Sequence, residues 1–514
     1  VRISGDPELM TMTPFPRGGR RRWVWPALML WLGPGAPELG AQARADSAWA
    51  AGELDLAEDL YRAELERDGA NTLALRRLAL IRGWSGDARE SLTLLDRLLE
   101  IAPNDGDARV AWARALAWAG RFAAAEAAFR RILEEDPGRR DARLGLAATI
   151  AWDGRYREAE TLYARLLEQA PDDPEALAGY ARVAAWDGRP GEARRRWRRA
   201  RESRPDDADI AREFRRARLA TRPRLEPELS WEGDSDGQRI ATVRAGQRVW
   251  LGNGVTLRVG GYGRRAEQAG SGLAGRAYGG RVDVEARLAG GWRLWAGPSV
   301  HSVAGEGERA RAGGSVRLAA PPTAPLRASV LLRRRPLDLT APLMRARVTV
   351  DEAVLGIGAG SGSGLLVEAE AGWAAYRGER VNRRLAGTLS LAGALGDAWV
   401  GSVRARAFGF DEDTGDPYFD PELYASLQAG LEWRPSGGPW EGALGLFPGI
   451  QRVTRGSSST SPTVEARGRV GLEVAPGRVV RLETTFSTTA LRSFSSGGSG
   501  YRYLSAGLSL SWTF

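Results

Sequence analysis

The sequence predicts two structured parts in one chain, an α-helical solenoid of repeats followed by a transmembrane antiparallel β-barrel of about 16 strands. In the first part, similar residues recur at a constant spacing. From Pro223 onward, apolar and polar residues alternate, which is the two-residue period of a β-strand. The last stretch, Tyr501–Phe514, also alternates and ends on an aromatic residue. The predicted fold class is therefore α + β with two different domains.

Length and composition limit the classes of protein that fit. The chain has 514 residues, enough for two or three domains, with 73 basic and 64 acidic side chains and no cysteine. All the basic residues are arginine, and the net charge of +9 is not gathered into one basic segment, so no nucleic-acid partner is expected. The lack of cysteine excludes disulfides, thiolate metal sites and thiol nucleophiles. No cofactor is predicted.

Residues 1–43 are interpreted as a secretory signal peptide. A basic cluster at 17–22 precedes the short apolar run Trp23–Leu32, and Ala41-Gln42-Ala43 fits a cleavage site of small residues. The apolar run is too short to span a bilayer as a helix, which takes about 20 apolar residues. We therefore expect export from the cytoplasm, with cleavage after Ala43.

Residues 44–220 form the predicted repeat array. Glycine recurs at a spacing of 34, since 86 − 52 and 120 − 86 both equal 34, and three further columns keep this step. The four columns are Gly52, Gly86, Gly120, Gly154 and Gly188; Ala45, Ala79, Ala113, Ala147 and Ala181; Tyr61, Leu95, Phe129, Tyr163 and Trp197; and Pro103, Pro137, Pro171 and Pro205. This plan resembles the tetratricopeptide repeat, a helix–turn–helix unit whose first helix ends at glycine. A helix over Asp206–Arg218 is expected to cap the array.

Another column at the same spacing consists of tryptophans, which stand two positions before the recurring glycine. They are Trp84, Trp118, Trp152 and Trp186. In the repeat family this position lies near the end of the first helix, which lines the concave side. One interpretation is a binding row on which sugar rings or a partner helix could stack. The other is that each indole packs against the neighbouring repeat. In both cases the array is predicted to be an interaction surface.

Residues 223–514 are the predicted barrel. Arg281–Leu288 alternates without a fault, with apolar residues on one face and charges on the other. Segments of about ten residues, apolar outside and polar inside, are typical of outer-membrane barrels. The strand starts are predicted near Arg224, Gln238, Gly254, Gly275, Gly291, Glu308, Pro325, Arg347, Gly364, Asn382, Asp397, Glu422, Gly438, Pro462, Arg478 and Ser499. Tryptophans near segment ends fit an interfacial belt, namely Trp231, Trp250, Trp292, Trp399, Trp433, Trp440 and Trp512.

The final strand resembles the closing strand of a bacterial outer-membrane barrel, whose terminal Phe is read by the barrel assembly machinery. Phe514 is therefore interpreted as the insertion signal. An even number of strands places both ends of the barrel on one side of the membrane. We expect this to be the periplasmic side, with the repeat array in the periplasm and outer-membrane lipid around the barrel.

Inward-facing charges form the second group of candidate functional residues. The side chains predicted to line the lumen are Arg281, Asp283, Glu285, Arg287, Glu368, Glu370, Arg404, Arg406, Arg467 and Arg469. Because both signs of charge are interspersed, one interpretation is a cross-strand network of ion pairs that plugs the lumen. The other is a water-filled path lined by these side chains.

Two further features contain polar side chains without a recognisable catalytic or metal-binding pattern. His301, the only histidine, has Ser299 and Ser302 close by, but a hydrolase needs a third, orienting group. The segment Phe410–Glu422 holds six acidic residues, lacks the spacing of a calcium loop, and is expected to be a solvated loop. We therefore expect no catalytic residues, no metal site and no enzymatic activity.

Taken together, the signal segment, the repeat array and the barrel resemble the YaiO-type outer-membrane family. The plan is also similar to that of the exporters of poly-N-acetylglucosamine and cellulose. The resemblance implies a porin-like protein in envelope or exopolysaccharide export or assembly, whose periplasmic repeats recruit a protein partner or a polysaccharide chain. The alternative is a non-conducting, membrane-anchored scaffold that binds periplasmic protein partners.

Overall fold

The computed structural model describes residues 41–304, 310–321, 324–360, 364–396, 398–415, 417–435, 440–490 and 501–514. The chain divides after Phe214 into two compact units. The first unit consists of helices and the second mainly of strands. The predicted signal peptide lies outside the described residues except for its last three, which belong to the first helix, so the signal peptide stays a prediction.

Helix–turn–helix pairs make up the first part of the described chain. The helices are α1 (Ala41–Ala50), α2 (Leu54–Arg67), α3 (Thr72–Trp84), α4 (Ala88–Ile101), α5 (Gly106–Trp118), α6 (Phe122–Glu135), α7 (Arg140–Trp152), α8 (Tyr156–Gln169), α9 (Pro174–Trp186), α10 (Pro190–Ser203) and α11 (Ala208–Ala220). The recurring glycine follows each first helix with a positive φ, for example 94° at Gly86, where a side chain would be strained. First helices of consecutive repeats also contact one another, α3 with α5, α5 with α7 and α7 with α9. No described helix is long and apolar enough to cross a membrane.

Two of the recurring columns form the core of the array. The recurring alanines are fully buried, and the large residues of the next column are at most 4% exposed. Two of these large rings lie against a glycine of the following repeat. A Cβ on Gly145 would come within 2.4 Å of the Phe129 ring, and a Cβ on Gly179 within 2.4 Å of the Tyr163 ring. Consecutive repeats therefore approach closely because these two positions lack a side chain.

The strands of the second unit form one closed antiparallel sheet. They are β1 (Arg224–Leu225), β2 (Glu228–Asp234), β3 (Gln238–Gly252), β4 (Val255–Gln268), β5 (Leu273–Arg287), β6 (Arg293–Val303), β7 (Arg311–Ala319), β8 (Leu326–Pro336), β9 (Thr349–Gly360), β10 (Leu366–Arg377), β11 (Val381–Ala394), β12 (Trp399–Phe410), β13 (Leu423–Trp433), β14 (Trp440–Arg455), β15 (Ser457–Ala475), β16 (Arg478–Ser487) and β17 (Tyr503–Thr513). From β2 onward each strand pairs with the next, and β17 pairs back to β2.

The labelled strands correspond to 16 strands of the barrel, because β1 and β2 are two pieces of one strand. Both pieces pair with β3 and with β17. The interruption falls at Glu226-Pro227, where proline has no N–H to contribute to the ladder. The predicted fold class, a helical repeat array followed by a barrel of about 16 strands, is confirmed.

Most strands begin within a few residues of the predicted starts, and the largest differences occur near the end of the chain. β15 begins at Ser457 instead of Pro462, because a tight turn at Gly456, with φ 64°, lets 457–461 pair with β14. The serine-rich composition of this stretch favours a loop, but cross-strand pairing overrides that preference. The last strand begins at Tyr503, whereas the predicted start, Ser499, lies outside the described residues.

The outer face of the barrel is apolar and exposed. Leu385, Leu355 and Ile450 are 70%, 60% and 56% exposed on alternating positions of their strands. Trp399 and Trp433 are exposed and stand opposite each other at the end of the barrel where the strand pieces β1 and β17 meet. We call this end, which holds both termini of the barrel, the proximal end, and the opposite end the distal end. An exposed apolar band of this kind suits a lipid environment.

The barrel interior holds an apolar core that the sequence analysis did not predict. The segment Leu337–Val348, between β8 and β9 at the distal end, is largely buried, apart from the exposed Arg345 and Arg347, and contains the short helix α12 (Ala341–Ala346). We call it the inner segment. Against β3, β4 and β5 the packed residues are Ile240, Ala266, Ala277, Ala341 and Met344. Against β9, β10 and β12–β14 they are Leu337, Leu343, Val348, Val350, Ala374, Tyr376, Phe408, Phe410, Tyr424 and Val453.

The acidic loop Phe410–Glu422 is not simply a solvated loop, so that expectation is wrong for its second half. Tyr418 and Phe419 are buried in the same aromatic cluster as the inner segment. Asp420 is also buried and forms an ion pair of 3.1 Å with Arg455. The aromatic residues draw the loop inward because burying two rings removes a large apolar area from water.

Candidate functional site in the barrel lumen

The four predicted tryptophans are each the last residue of a first helix, in α3, α5, α7 and α9. Trp84 is 48% exposed and stacks on Trp49, with ring centroids 5.3 Å apart. Trp118 instead packs on the preceding repeat, because a Cβ on Gly83 would lie 2.1 Å from its ring. The remaining two indoles are partly buried. The column thus contains both kinds of indole, and a binding role for it stays a prediction.

All ten charged residues predicted to line the lumen lie on the inner face of their strands. On β5 the intervening Val282 and Val284 are exposed outside, so Arg281 and Asp283 face inward, where they form an ion pair of 2.6 Å. The same alternation applies to Glu285, Arg287, Glu368, Glu370, Arg404, Arg406, Arg467 and Arg469. Arg467 is paired with its near neighbour Glu465. Part of the set is therefore neutralised within the barrel wall.

A buried polar cluster, which we call the clasp, connects the inner segment to the wall. Asp338 of the inner segment forms an ion pair of 2.8 Å with Arg264 of β4, and these side chains are 9% and 7% exposed. Tyr262, also on β4, donates a hydrogen bond to the same carboxylate. Its hydroxyl lies 3.0 Å from Nδ1 of His301 on β6, and Nε2 of His301 lies 2.9 Å from Oγ of Ser299.

The hydrogen bonds of the clasp run in one direction. Tyr262 gives its only hydroxyl proton to Asp338, so its oxygen accepts from Nδ1–H of His301. Nε2 of the neutral ring then accepts the hydroxyl hydrogen of Ser299, an assignment that follows from the network. His301 therefore belongs to a chain of polar groups that ends on the carboxylate of the inner segment. Sequence reasoning found His301 and Ser299 but missed Tyr262 and Asp338, which are 76 residues apart.

Two glycines make room for the clasp on the neighbouring strands. Gly279 stands opposite His301 on β5, and a Cβ there would lie 2.8 Å from Nδ1. Gly313 stands opposite Ser299 on β7, and a Cβ there would lie 2.8 Å from Oγ. A side chain at either position would displace the polar groups. Inward-facing glycines on both sides of a single histidine are the sequence signal that could have located this cluster.

Aromatic packing holds the other side of the inner segment. Phe408 stacks on Tyr424 at 4.9 Å between centroids, and Tyr376 stacks on Tyr418 at 4.8 Å. The guanidinium of Arg384 lies 5.5 Å from the Tyr376 centroid and 5.7 Å from that of Phe408, within the range of a cation–π contact. The inner segment therefore contacts two well-separated arcs of the wall and crosses the lumen in the distal half of the barrel.

This arrangement separates the two parts of the lumen by chemistry. The distal part is filled by the inner segment and the aromatic cluster, and the proximal part is lined by the charged side chains described above. Within the described part of the chain, no group of three or more His, Asp or Glu side chains is placed to hold a metal ion. The inner segment crosses this interior without contributing a strand to the barrel.

Comparison with known proteins identifies the helical part. Residues 85–150, 116–174 and 153–212 match the tetratricopeptide repeat family. A search of curated proteins gives no match. Among solved structures, a bacterial polysaccharide outer membrane secretin is similar at 12% sequence identity and a TM-score of 0.45, covering 57% of this chain and 99% of that chain.

Repeat proteins are also similar in structure. A tetratricopeptide repeat protein from Parabacteroides merdae shares 22% identity at a TM-score of 0.32, covering 36% of this chain and 73% of that chain. PilW, a type IV pilus biogenesis factor, shares 21% identity at a TM-score of 0.31, and the match covers 35% of this chain and 84% of the PilW chain. The chain thus combines a tetratricopeptide repeat array with a closed antiparallel barrel of 16 strands.

Proposed function

We propose that this protein is an outer-membrane barrel that serves envelope or exopolysaccharide export or assembly, with its repeat array as a periplasmic interaction module. The observation that carries the proposal is the way the lumen is closed. The closure is a separate segment held by a polar clasp, and its removal would leave every strand pairing of the barrel intact. A closure of this kind can open without unfolding the barrel, which a passage for a polymer requires.

The outer-membrane location is supported by the outer face of the barrel. Its exposed apolar side chains would be unfavourable in water over so large an area, and lipid removes that cost. The closing strand carries Leu504, Leu508, Trp512 and Phe514 on this face. We propose that the barrel assembly machinery reads Phe514, in keeping with the resemblance to the YaiO-type family. The predicted signal peptide would deliver the chain to the periplasm.

The repeat array is proposed to bind a periplasmic protein partner or a polysaccharide chain. Stacked helical repeats form extended surfaces, and their usual role is recognition of a partner. The exposed indole of Trp84, stacked on Trp49, offers one flat apolar surface on this array. Removing the array should abolish partner capture and lower surface polysaccharide. Unchanged values of both quantities would remove this part of the proposal.

A second candidate function is a non-conducting anchor that holds the repeat array at the membrane. The closed distal half of the lumen is the observation that favours it, because a barrel used only as an anchor need not open. The two candidates differ in what the inner segment does. In an exporter the segment must move, and in an anchor it stays in place.

An engineered disulfide can distinguish the two functions. A Cβ on Gly275 of β5 would lie 3.5 Å from Cβ of Met344 in the inner segment, within the range for a disulfide. The chain has no other cysteine to interfere. In the double variant Gly275→Cys/Met344→Cys, export should stop when the pair is oxidised and recover after reduction, whereas each single variant should export normally. Equal surface polysaccharide in the oxidised and reduced states would favour the anchor.

We further propose that the clasp is structural and that the protein is not an enzyme. Ser299 and His301 have the contact of a nucleophile and a base, but their network ends on the carboxylate that holds the inner segment. A fluorophosphonate probe tests this directly. Labelling that is lost in Ser299→Ala would overturn the structural role, and the absence of such labelling, with unchanged lipid profiles in His301→Ala, would support it.

A further inference from the structure

The inner faces of two adjacent strands, β7 and β8, carry arginine as their only charged residue type. Along β7 the inward positions are Arg311, Gly313, Ser315, Arg317 and Ala319, and along β8 they are Arg327, Ser329, Leu331, Arg333 and Arg335. The outward neighbours Val316, Val330 and Leu332 are exposed, which fixes this alternation. We call these five arginines the arginine wall.

Most of the arginine wall lacks a carboxylate partner among the described residues. Arg333 pairs with Glu352 of β9. Nη1 of Arg311 and Nε of Arg335 are buried without a hydrogen-bond partner in the part of the chain that the structure describes. Arg317 and Arg327 form no ion pair with any described residue. Buried or partly buried charges are costly unless paired, so an anion from outside the chain would stabilise this wall.

Several other inward charges of the barrel are paired within the chain. Arg281 pairs with Asp283, Arg244 with Glu228 at 2.9 Å, and Arg481 with Glu441 at 2.6 Å. Along β7 and β8, by contrast, no acidic side chain faces inward, so this side of the lumen carries an excess of positive charge. Repulsion between neighbouring arginines would disfavour such a wall if it had only a structural role.

An indole in the same part of the wall supplies a second kind of contact. Trp295 of β6 stands directly opposite Arg317 on β7. The guanidinium of Arg317 lies 5.5 Å from the Trp295 ring centroid and that of Arg293 lies 5.7 Å from it. Small inward residues, Ala319, Ser329 and Ser315, separate the arginines along the strands. A flat ring between two cations, with small residues beside it, suits a sugar ring that carries an anionic group.

We propose that the arginine wall and Trp295 bind an anionic glycan, a polymer that carries carboxylate, sulfate or phosphate groups. This assignment rests on the proposed export function for its biological meaning, since it names the class of polymer that the lumen would pass. Binding itself requires only access from the proximal end, where Arg327 and Arg317 lie. Guanidinium groups recognise each of these anions through paired N–H donors.

Titration calorimetry of the full-length protein in detergent tests the assignment. The probes are oligogalacturonate as the anionic glycan, malto-oligosaccharide as the neutral one and chitosan oligomers as the cationic one. We expect binding of oligogalacturonate that weakens with added salt, and little binding of the other two. In Arg317→Gln/Arg327→Gln the affinity should fall about tenfold or more, because two charged hydrogen-bond donors are lost.

The matched control is Arg265→Gln, an exposed arginine on the outer face of β4 that pairs with Glu267. It should bind oligogalacturonate like the unmodified protein. Heat-modifiable gel migration verifies that every variant keeps a folded barrel. Equal affinity for the anionic and neutral probes, or equal affinity of the wall variant and the control, would overturn the assignment. If oligogalacturonate binds as expected while surface polysaccharide is the same in the oxidised and reduced Gly275→Cys/Met344→Cys variant, the glycan site stands and the export function fails.

Discussion

The repeat array and the barrel differ in how far apart in sequence their contacting residues are. In the array, Arg140 meets Asp173, 33 residues later, and the Phe129 ring meets Gly145. In the barrel, Tyr262 meets Asp338, 76 residues later, and Tyr503 meets Glu232, 271 residues earlier. Substitutions in the array should therefore act on one repeat and its neighbour, whereas substitutions in the lumen can act across the whole barrel.

The two regions also differ in which surface is apolar. The array buries its recurring alanines and large apolar residues and exposes its charged side chains. The barrel exposes its apolar residues outside and directs charges toward its axis. Among the described residues, the inner segment and the aromatic cluster around it give the distal half of the barrel an apolar interior. We therefore expect the barrel to persist when the inner segment is released, because this segment contributes no strand to the sheet.

The largest effect is expected from Asp338→Ala. Removing the carboxylate leaves Arg264 buried and unpaired, a loss of about 3–5 kcal/mol. Because Asp338 takes part in no strand pairing, this loss should release the inner segment while the barrel persists. Planar-bilayer conductance should rise, and trypsin should cleave after Arg345 or Arg347. The matched control is Asp351→Ala, whose carboxylate pairs on the outer face. Conductance equal to that of the control would contradict a releasable closure.

A smaller effect is expected from Gly179→Ala in the array. The added methyl would overlap the Tyr163 ring, and overpacking of this kind costs about 1–3 kcal/mol. Thermal unfolding followed by the helical circular dichroism signal should shift to lower temperature, with heat-modifiable barrel migration unchanged. Gly138→Ala is the control, because a Cβ there meets only the Asp136 carboxylate. A joint loss of array and barrel stability would show that the two regions are not independent.

A pH effect of intermediate size is expected at the start of α9. The hydrogen bond from Arg140 lowers the pKa of Asp173 below its ordinary value, and backbone N–H groups of α9 add to this lowering. A carboxylate with a lowered pKa in the folded state stabilises the fold above its ordinary pKa, and this contribution is lost as pH falls. Array stability should therefore drop on acidification from about pH 5 to about pH 3.

Variants at two adjacent aspartates test this pH dependence. Asp173→Asn should flatten the acid-induced loss of array stability, measured by thermal unfolding at each pH. The exposed neighbour Asp172, changed to Asn, should leave the loss unchanged. An identical pH profile in the two variants would show that the pair with Arg140 does not contribute.

The smallest effect on stability is expected from Trp84→Ala. The Trp84 indole is exposed, so the substitution removes mainly its stacking contact with Trp49, which is worth about 0.5–1.5 kcal/mol. If the tryptophan column binds a partner, capture by the array should nevertheless fall clearly, and Trp84→Phe should restore much of it. Capture that is unaffected in Trp84→Ala would assign this column to packing between repeats alone.

Sequence reasoning succeeded wherever one short pattern repeats. The 34-residue columns located the helix ends, and the alternation of Arg281–Leu288 located the inner and outer faces of β5. It failed for two connections between strands, the inner segment and the acidic loop, whose sequences have no regular period. The inner segment has neither a helical repeat nor an alternation, and the aromatic residues at 418 and 419 were hidden among acidic neighbours. Within the candidate site, sequence reasoning located the ten charged lumen residues. Of the clasp it found His301 and Ser299 but missed Tyr262 and Asp338.

By itself, the amino-acid sequence determined the order of the two domains, the helix ends, the number of strands and the face on which each side chain lies. These follow from periods of a few residues, which depend on local backbone geometry. Tertiary structure alone decided that Leu337–Val348 lies inside the barrel, that Asp338 meets Arg264 and Tyr262, and that most inward arginines of β7 and β8 lack a carboxylate partner among the described residues. Such pairings depend on closure of all 16 strands, which brings together residues that no local pattern connects.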